Sequence, residues 1–299
     1  MDIFLTGAAG YIGGSVAARL LEARHRVRGL VRTPEKAELI SKLGIEPVVG
    51  TLEDVELLAR EAHNADGVVN TANADHLPSV RALIAALEGT GKPLLHTSGS
   101  SVIGDDARGN RVAEAIFDED TPFVVPPAKQ QRRDIDLTVL RAAGSGVRSA
   151  VICPSMIYGT GRGANPHSAQ IPFLADNARP QGFVQVIGQG VNRWSNVHID
   201  DLAELYLLVL TKAPAGAFYF ADSGEASFGE IGGAIATRLG LGAVQSLPAE
   251  LAAEKWGESR AYYSFGSNSR VRAKRARREL GWTPRHTSVI AWILSEMPV

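Results

Sequence analysis

The sequence lacks the features that mark several common classes of protein. Its single cysteine, Cys153, cannot form an internal disulfide, so nothing argues for an oxidising compartment and a cytoplasmic protein is expected. No run reaches the roughly 18 apolar residues of a membrane helix, and no charged segment followed by an apolar one opens the chain. With a formal net charge of −1, neither nucleic acid nor a membrane is expected as a partner. The 7 histidines and the 1 cysteine show no metal-ligand spacing, so no metal is expected.

Glycine is in mild excess, at 31 of 299 residues, and three glycines follow a specific spacing. The pattern Gly7-x-x-Gly10-x-x-Gly13 stands between the apolar run 3–5 and a segment whose apolar residues recur at helical spacing. In a strand-loop-helix unit, such glycines allow a tight turn, let a pyrophosphate approach the backbone, and let helix and strand pack closely. The phosphate charge then lies at a helix N-terminus. The loop therefore predicts a bound dinucleotide.

Apolar runs alternate with helical segments through the first half of the chain. Strands are predicted at 3–5, 27–31, 45–49, 67–71, 93–97 and 149–153, with helices between them. This order predicts an α/β fold, a doubly wound parallel sheet covered on both faces. Residues 1–160, with 191–212 returning to them, are predicted to form the nucleotide-binding domain. The composition changes near residue 160, where the chain becomes rich in Gly, Pro, Asn and Gln. Residues 161–190 and 213–299 are therefore assigned to a smaller substrate-binding domain.

The residue that ends the second predicted strand decides which dinucleotide is favoured. An acid at this position accepts a hydrogen bond from the ribose 2′-OH, whereas a nearby arginine accommodates a 2′-phosphate. The residue here is Arg32, Lys36 follows one turn later, and the first acid after Arg32 is Glu35. NADP is therefore predicted, with NAD less favoured; the alternative is that Arg32 is an exposed loop charge with no ligand.

Further motifs extend over nearly the whole chain. They are Gly50-Thr51-Leu52-Glu53-Asp54, Asn70-Thr71-Ala72-Asn73, His96-Thr97-Ser98-Gly99-Ser100-Ser101, Pro154-x-x-x-Tyr158-Gly159, and Glu279-Leu280-Gly281-Trp282-Thr283-Pro284. Together with Thr6-Gly7-x-x-Gly10-x-x-Gly13, they resemble the extended or atypical branch of the short-chain dehydrogenase/reductase superfamily, the epimerase/dehydratase-like enzymes. The resemblance implies a Rossmann fold with a smaller C-terminal substrate domain, and it makes a homodimer possible. The implied cofactor-binding residues are Gly7, Gly10, Tyr11, Ile12, Gly13, Arg32, Leu52, Thr71, Ala72 and Asn73.

The chemistry of that superfamily rests on a serine or threonine and a Tyr-x-x-x-Lys pair, which act in general acid–base catalysis. One register places Ala128 and Arg132 at the pair, and the other places Val125 and Lys129 there, so neither register supplies a tyrosine. The superfamily's serine falls on Gly99. The remaining catalytic candidates are Ser98, Ser100, Arg132 and Lys129, and the candidates for substrate contact are Tyr158 and Arg193.

These residues predict an NADP-dependent oxidoreductase that acts on a small-molecule carbonyl or alcohol through a non-standard proton donor. One alternative is an epimerase or dehydratase that recycles its cofactor on a substrate such as a sugar nucleotide. Another is a sensor or regulator that binds NADP without catalysis. A basic run between Arg270 and Arg278 is interpreted either as a contact for an anionic substrate or as a solvated helix.

Overall fold

The computed structural model describes all 299 residues. The chain alternates strands with helices through its first half, as predicted. The strands are β1 Asp2–Thr6, β2 Arg26–Val31, β3 Glu46–Val49, β4 Gly67–Asn70, β5 Pro93–Thr97, β6 Arg148–Pro154, β7 Met156–Tyr158, β8 Phe183–Ile187, β9 Arg193–His198, β10 Ala217–Ala221, β11 Gly224–Ser227 and β12 Gly242–Leu247. The helices are α1 Tyr11–Glu22, α2 Pro34–Ser41, α3 Val55–Asn64, α4 Leu77–Leu87, α5 Gln130–Arg141, α6 Gln170–Gln181, α7 Ile199–Lys212, α8 Phe228–Leu239, α9 Ala249–Trp256, α10 Lys274–Leu280 and α11 Val289–Ser295.

Seven parallel strands form the main sheet, in the order β10-β6-β5-β4-β1-β2-β3. Helices α1 and α7 pack together, and so do α3 and α4, which share a second hydrophobic cluster with β4 and β5. The predicted doubly wound α/β fold is confirmed. The strand order reverses between β1 and β4, and in such sheets the crevice at the carboxyl ends of the reversing strands is where ligands bind. The loop that carries Gly7 follows β1 at this point.

Local sequence signals mark the start of one helix but not that of another. Thr33 accepts a hydrogen bond from the backbone N–H of Lys36 at 3.4 Å, and Pro34 occupies the first position of α2, where both residue types are favoured. Helix α5 begins at Gln130, five residues before the apolar periodicity starts at Ile135. Its first turn is entirely polar, so hydrophobic spacing could not locate it.

A smaller region packs beside the main sheet around its own hydrophobic core. It contains the three-stranded sheet β11-β9-β7, the parallel pair β12-β8, and helices α6, α8, α9 and α11. The predicted domain boundary needs two corrections. Strand β10, from the segment assigned to the substrate domain, pairs with β6 in the main sheet, whereas β9, from the segment assigned to the nucleotide domain, pairs outside it. Composition changes along the chain cannot reveal which strands pair.

None of the helices combines the length and the apolar character that crossing a bilayer requires.

Candidate active site

The glycine loop forms a cradle at the start of α1. Gly7 has a φ of +77°, and the N–H of Gly10 donates to its carbonyl at 2.8 Å, which closes the turn. A Cβ on Gly13 would lie 2.2 Å from the carbonyl oxygen of Gly7, so no larger residue fits there. No side chain caps α1, and its first turn has no acid. The free N–H groups and the helix dipole therefore face an open anion site, which suits a pyrophosphate.

Two adjoining cavities form one cleft along the carboxyl ends of the strands. The first, about 670 Å³, is called the Arg32 cavity; it is lined among others by Gly7, Gly10, Arg32, Leu52, Ala72 and Asn73. The second, about 760 Å³, is called the Ser98 cavity; it is lined among others by Tyr11, Ile12, Gly13, Thr71 and Ser98. Gly10, Ala72 and Asn165 line both cavities. All ten residues predicted to contact the cofactor thus lie along a single cleft.

The Arg32 cavity carries two cations without ionic partners. Arg32 and Lys36 are both exposed at its wall, and neither has a carboxylate within ion-pair distance. Glu53 lines the same cavity, and a hydrogen bond from Thr51 lowers its pKa. Because neither cation is in an ion pair, either could contact a phosphate group without breaking an existing interaction.

All four predicted catalytic side chains line the Ser98 cavity. Ser98 donates to Asp136 Oδ2 at 2.8 Å, whereas the Ser100 hydroxyl is engaged by the Ser269 hydroxyl at 2.8 Å. Arg132 binds Asp75 through Nε at 2.9 Å and Nη2 at 2.6 Å, and this hydrogen bonding lowers the pKa of Asp75.

Lys129 is the one cation of the Ser98 cavity without a carboxylate partner. Its Nζ lies 5.2 Å from the centre of the Tyr263 ring, and burial lowers its pKa. No aspartate or glutamate lines this cavity. The Ser98 cavity is therefore rich in hydroxyl groups and positively charged.

A model described as the NAD dependent epimerase/dehydratase family matches residues 3–219. The chain belongs to this family. It is 35% identical to oxidase ucsJ of an Acremonium species, over 94% of this chain and 92% of that protein. It is 29% identical to the 4-hydroxy-2-methyl-3-oxo-4-farnesyl-3,4-dihydroquinoline-1-oxide ketoreductase of Stigmatella aurantiaca, over 75% of this chain and 69% of that protein.

Solved structures show the same fold for this epimerase/dehydratase family member. The structure of dTDP-glucose 4,6-dehydratase from Streptomyces venezuelae with NAD bound superposes with a TM-score of 0.77. It is 20% identical, and the match covers 99% of this chain and 98% of that chain. At this identity, the likeness describes the fold alone.

The two residues predicted to contact substrate do not line the cleft of this epimerase/dehydratase chain. Tyr158 is fully buried, donates to the carbonyl of His286 at 3.1 Å, and packs against His198 and Trp292. Arg193 is held by Glu225 at 3.0 Å and by Glu230 at 3.2 Å. Tyr158 and Arg193 each lie one strand position away from a residue that lines the cavity, because successive side chains on a strand point to opposite faces. Their neighbours Ile157 and Trp194 line the Ser98 cavity instead.

The basic run is neutralised by internal ion pairs. Its charges pair mainly with acids of two other segments: Arg270 with Glu225, Arg277 with Asp222, Lys274 with Asp118 and Arg275 with Asp120. The run is thus neither a free anion site nor a simply solvated helix. The pairs tie α10 and the residues before it to residues 222–225 and to the loop that precedes α5.

Three potential metal ligands come together outside the cleft, although the sequence shows no ligand spacing. Ligand atoms of His198, Asp200 and His286 lie within 4.8 Å of one another. The two imidazole rings are stacked, with centres 3.9 Å apart and planes 21° apart. Because the nitrogen lone pairs lie in the ring planes, stacked rings do not direct them at one point, as a metal ion requires.

Proposed function

We propose that the chain is an NADP-dependent oxidoreductase that interconverts a small-molecule carbonyl and its alcohol. One observation carries the proposal: a single cleft runs from the cradle at the start of α1 and the unpaired Arg32 to a cavity of hydroxyl groups and cations. When bound, the dinucleotide supplies the hydride. The residues of the chain bind the phosphates, orient the substrate and transfer a proton to or from its oxygen.

Arg32 and Lys36 support NADP as the favoured form of the cofactor. Both cations stand at the wall of the cavity that begins beside the carboxyl end of β2, where a ribose-contacting acid favours NAD in this fold. A charged hydrogen bond contributes about 1.5–3 kcal/mol, which corresponds to about a tenfold to hundredfold difference in affinity.

The Ser98 cavity supports chemistry on a polar carbonyl compound. Lys129 and Arg132 can stabilise negative charge that develops on a substrate oxygen, and Ser98 offers a hydroxyl that can exchange a proton. The oxidase and ketoreductase named above are relatives whose names fit redox chemistry at such a group. A substrate that carries a carboxylate suits the positive charge of this cavity.

Coenzyme binding tests the proposal first. Dissociation constants for NADPH and NADH are measured by fluorescence titration of the native protein, Arg32→Asp and Arg81→Asp. Arg81 is an exposed, unpaired arginine on α4, so its reversal is a matched control for charge. We expect tighter binding of NADPH in the native protein and in the control, and a narrowed or reversed difference in Arg32→Asp. Equal affinities for both coenzymes in the native protein would contradict the choice of NADP.

Turnover separates the oxidoreductase from the two alternatives. Net NADPH oxidation is followed with benzoylacetate, with its uncharged ethyl ester, and with a set of aldehydes and ketones. Product formed without net coenzyme turnover would indicate an epimerase or dehydratase. The structure gives this alternative less support for a sugar nucleotide, because the internally paired basic run offers no free cations for the diphosphate. Tight coenzyme binding with no turnover would indicate a sensor.

A further inference from the structure

A buried polar chain lies directly behind Ser98, at the end of the cleft that the sequence motifs leave without a tyrosine. On the basis of the proposed function, we propose that Ser98 exchanges the proton with the substrate oxygen and that two positioning residues act behind it. Asp136 stores and returns this proton, and His96 stabilises the ionised form of Asp136. Neither Asp136 nor His96 lines the cleft. Asp136 acts through Ser98, and His96 acts through Asp136.

The connection between Ser98 and Asp136 is direct and shielded from water. Ser98 follows β5 and lines the cavity, and its Oγ donates to Asp136 Oδ2 at 2.8 Å. Asp136, on α5, is completely buried. Ser98 is therefore the side chain that links this buried carboxyl group to the cleft through a hydrogen bond. Ser100 lacks such a connection, because its hydroxyl bonds to Ser269, which does not titrate.

His96 completes the chain from the opposite side of Asp136. Its Nδ1 receives a hydrogen bond from Asn70 Nδ2 at 3.0 Å, because Asn70 Oδ1 already accepts from Thr6 Oγ1 at 2.5 Å. The ring proton therefore resides on Nε2, which lies 4.0 Å from Asp136 Oδ1. Both of these atoms are buried without a hydrogen-bond partner. A donor and an acceptor left unsatisfied side by side can close into a hydrogen bond when Asp136 ionises.

The surroundings of Asp136 let it hold a proton near neutral pH and still release it. Burial raises its pKa to about 7, and the hydrogen bond from Ser98 and the charges of Arg133 and Arg132 act in the opposite direction. Other titratable groups that influence this site are Asp75 from the loop before α4, His96 on β5 and Cys153 on β6. Burial lowers the pKa of His96 to about 4, so its ring is neutral and offers a dipole rather than a charge.

The proton balance of a reduction follows from these contacts. With the hydride that a bound reduced coenzyme would supply, the carbonyl carbon would gain one bond to hydrogen, and the carbonyl π pair would move onto the oxygen. When Asp136 carries a proton on Oδ2, this oxygen donates to Ser98 Oγ, and the Ser98 hydroxyl turns toward the substrate in the cleft. Ser98 then gives its hydroxyl proton to the substrate oxygen, and the proton of Asp136 moves to Ser98 Oγ. Asp136 is left as a carboxylate that accepts from Ser98 and, after a small closure, from His96. After product release, one proton from bulk solvent returns to Asp136 through Ser98, which completes the proton balance of the reduction.

The first experiment needs neither coenzyme nor substrate. The protonation of aspartate side chains is followed by infrared difference spectroscopy on protein labelled with ¹³C-aspartate, as a function of pH. We expect a carboxyl that titrates near pH 7, that is missing in Asp136→Asn, and that persists in Asp134→Asn, an exposed aspartate on the same helix. In Ser98→Ala its midpoint should rise, because the hydrogen bond that favours the carboxylate is lost. A midpoint in the ordinary range of an aspartate overturns the proposal.

The second experiment uses NADPH with benzoylacetate, or with the best-reduced carbonyl of the set above. Ser98→Ala should lower kcat at least about a hundredfold with little change in KM, as loss of general acid catalysis does, and Ser98→Thr should recover part of it. In the native protein, kcat should fall above about pH 7 as Asp136 loses its proton, and this fall should be absent in Asp136→Asn. Ser149→Ala, a buried serine on β6 away from the cleft, should behave as the native protein. Unchanged kcat in Ser98→Ala, or a native pH profile in Asp136→Asn, refutes the relay.

The two experiments also separate this relay from the proposed function. If no carbonyl is reduced but the aspartate titrates near pH 7 and responds to Ser98→Ala, the function fails and the Ser98–Asp136 pairing is supported. If carbonyls are reduced and the aspartate titrates normally, the function is supported and the relay is wrong.

Discussion

Asp136 and His96 make opposite contributions to the pH dependence of folding stability. In the folded protein the pKa of Asp136 is raised from 3.8 to about 7, and that of His96 is lowered from 6.5 to about 4. Between about pH 4 and 6.5, unfolding therefore releases a proton at Asp136 and takes one up at His96. Stability falls with rising pH because of Asp136 and rises because of His96. In the native protein the two effects nearly cancel in this window.

Removing one partner should expose the contribution of the other. A single group that changes its proton occupancy fully on unfolding contributes about 1.4 kcal/mol per pH unit. From about pH 5 to about pH 6.5, the free energy of unfolding of Asp136→Asn, relative to the native protein, should rise by about 2 kcal/mol. That of His96→Gln should fall by about 2 kcal/mol over the same range. Both contributions come from buried groups and should persist at high salt.

Urea unfolding, followed by tryptophan fluorescence at several pH values, measures these free energies. His25 and His198, whose pKa values burial also lowers, add their own slopes to every variant, so the difference from the native protein is the quantity to compare. Asp134→Asn and His63→Gln, at exposed positions, serve as controls. If the profile of Asp136→Asn runs parallel to that of the native protein, Asp136 does not retain its proton in the folded state and the reasoning fails.

Two further predictions concern the cleft. Gly7→Ala, whose Cβ would lie 2.8 Å from Thr71 Oγ1, should weaken NADPH binding and lower the free energy of unfolding by more than the control Gly281→Ala. Gly281 has a φ of +70° in open space, so Gly281→Ala should lower the free energy of unfolding by about 1–2 kcal/mol and leave NADPH affinity unchanged. Urea unfolding and fluorescence titration measure both quantities, and equal losses of stability with unchanged affinity would contradict a phosphate cradle. Lys129→Met should reduce about tenfold the ratio of kcat/KM for benzoylacetate to kcat/KM for its ethyl ester, because one charged contact worth about 1.5 kcal/mol is lost. The control Lys255→Met, at an exposed position, should leave this ratio unchanged. An unchanged ratio in Lys129→Met would show that Lys129 does not contact the carboxylate.

The sequence alone predicted the fold and the path of the cleft because both depend on local signals. The glycine spacing, the alternation of strands with helices, and the capping residues of α2 all act within a few positions of the chain. The orientation of a side chain on a short strand depends instead on which strands pair. Strands β7 and β9 pair with each other outside the main sheet, and the sequence does not show this pairing. The sequence motifs therefore pointed to Tyr158 and Arg193, whereas the neighbours of these residues line the cavity.

The polar chain behind Ser98 was missed for a related reason. Asp136 and His96 are 40 residues apart and become neighbours only when α5 packs against β6, the strand next to β5 in the main sheet. One signal was present: Asp136 follows Ile135 and precedes Val139 by three positions, so it belongs to the buried stripe of the helix, where an aspartate is rare. An acid on an apolar helix face indicates a buried partner, although it does not tell which residue that partner is.

The two departures from the superfamily's catalytic motif are physically linked. The resemblance places the superfamily's serine on Gly99 and, in one register, its lysine on Arg132. A Cβ on Gly99 would lie 3.3 Å from Arg132 Nη1, which is tighter than an ordinary contact. Arg132 cannot easily move away, because Nε and Nη2 are held by Asp75. A Cβ at position 99 would therefore crowd the guanidinium of Arg132, which favours glycine there. The hydroxyl of the preceding residue, Ser98, also lines the cavity and is bonded to Asp136.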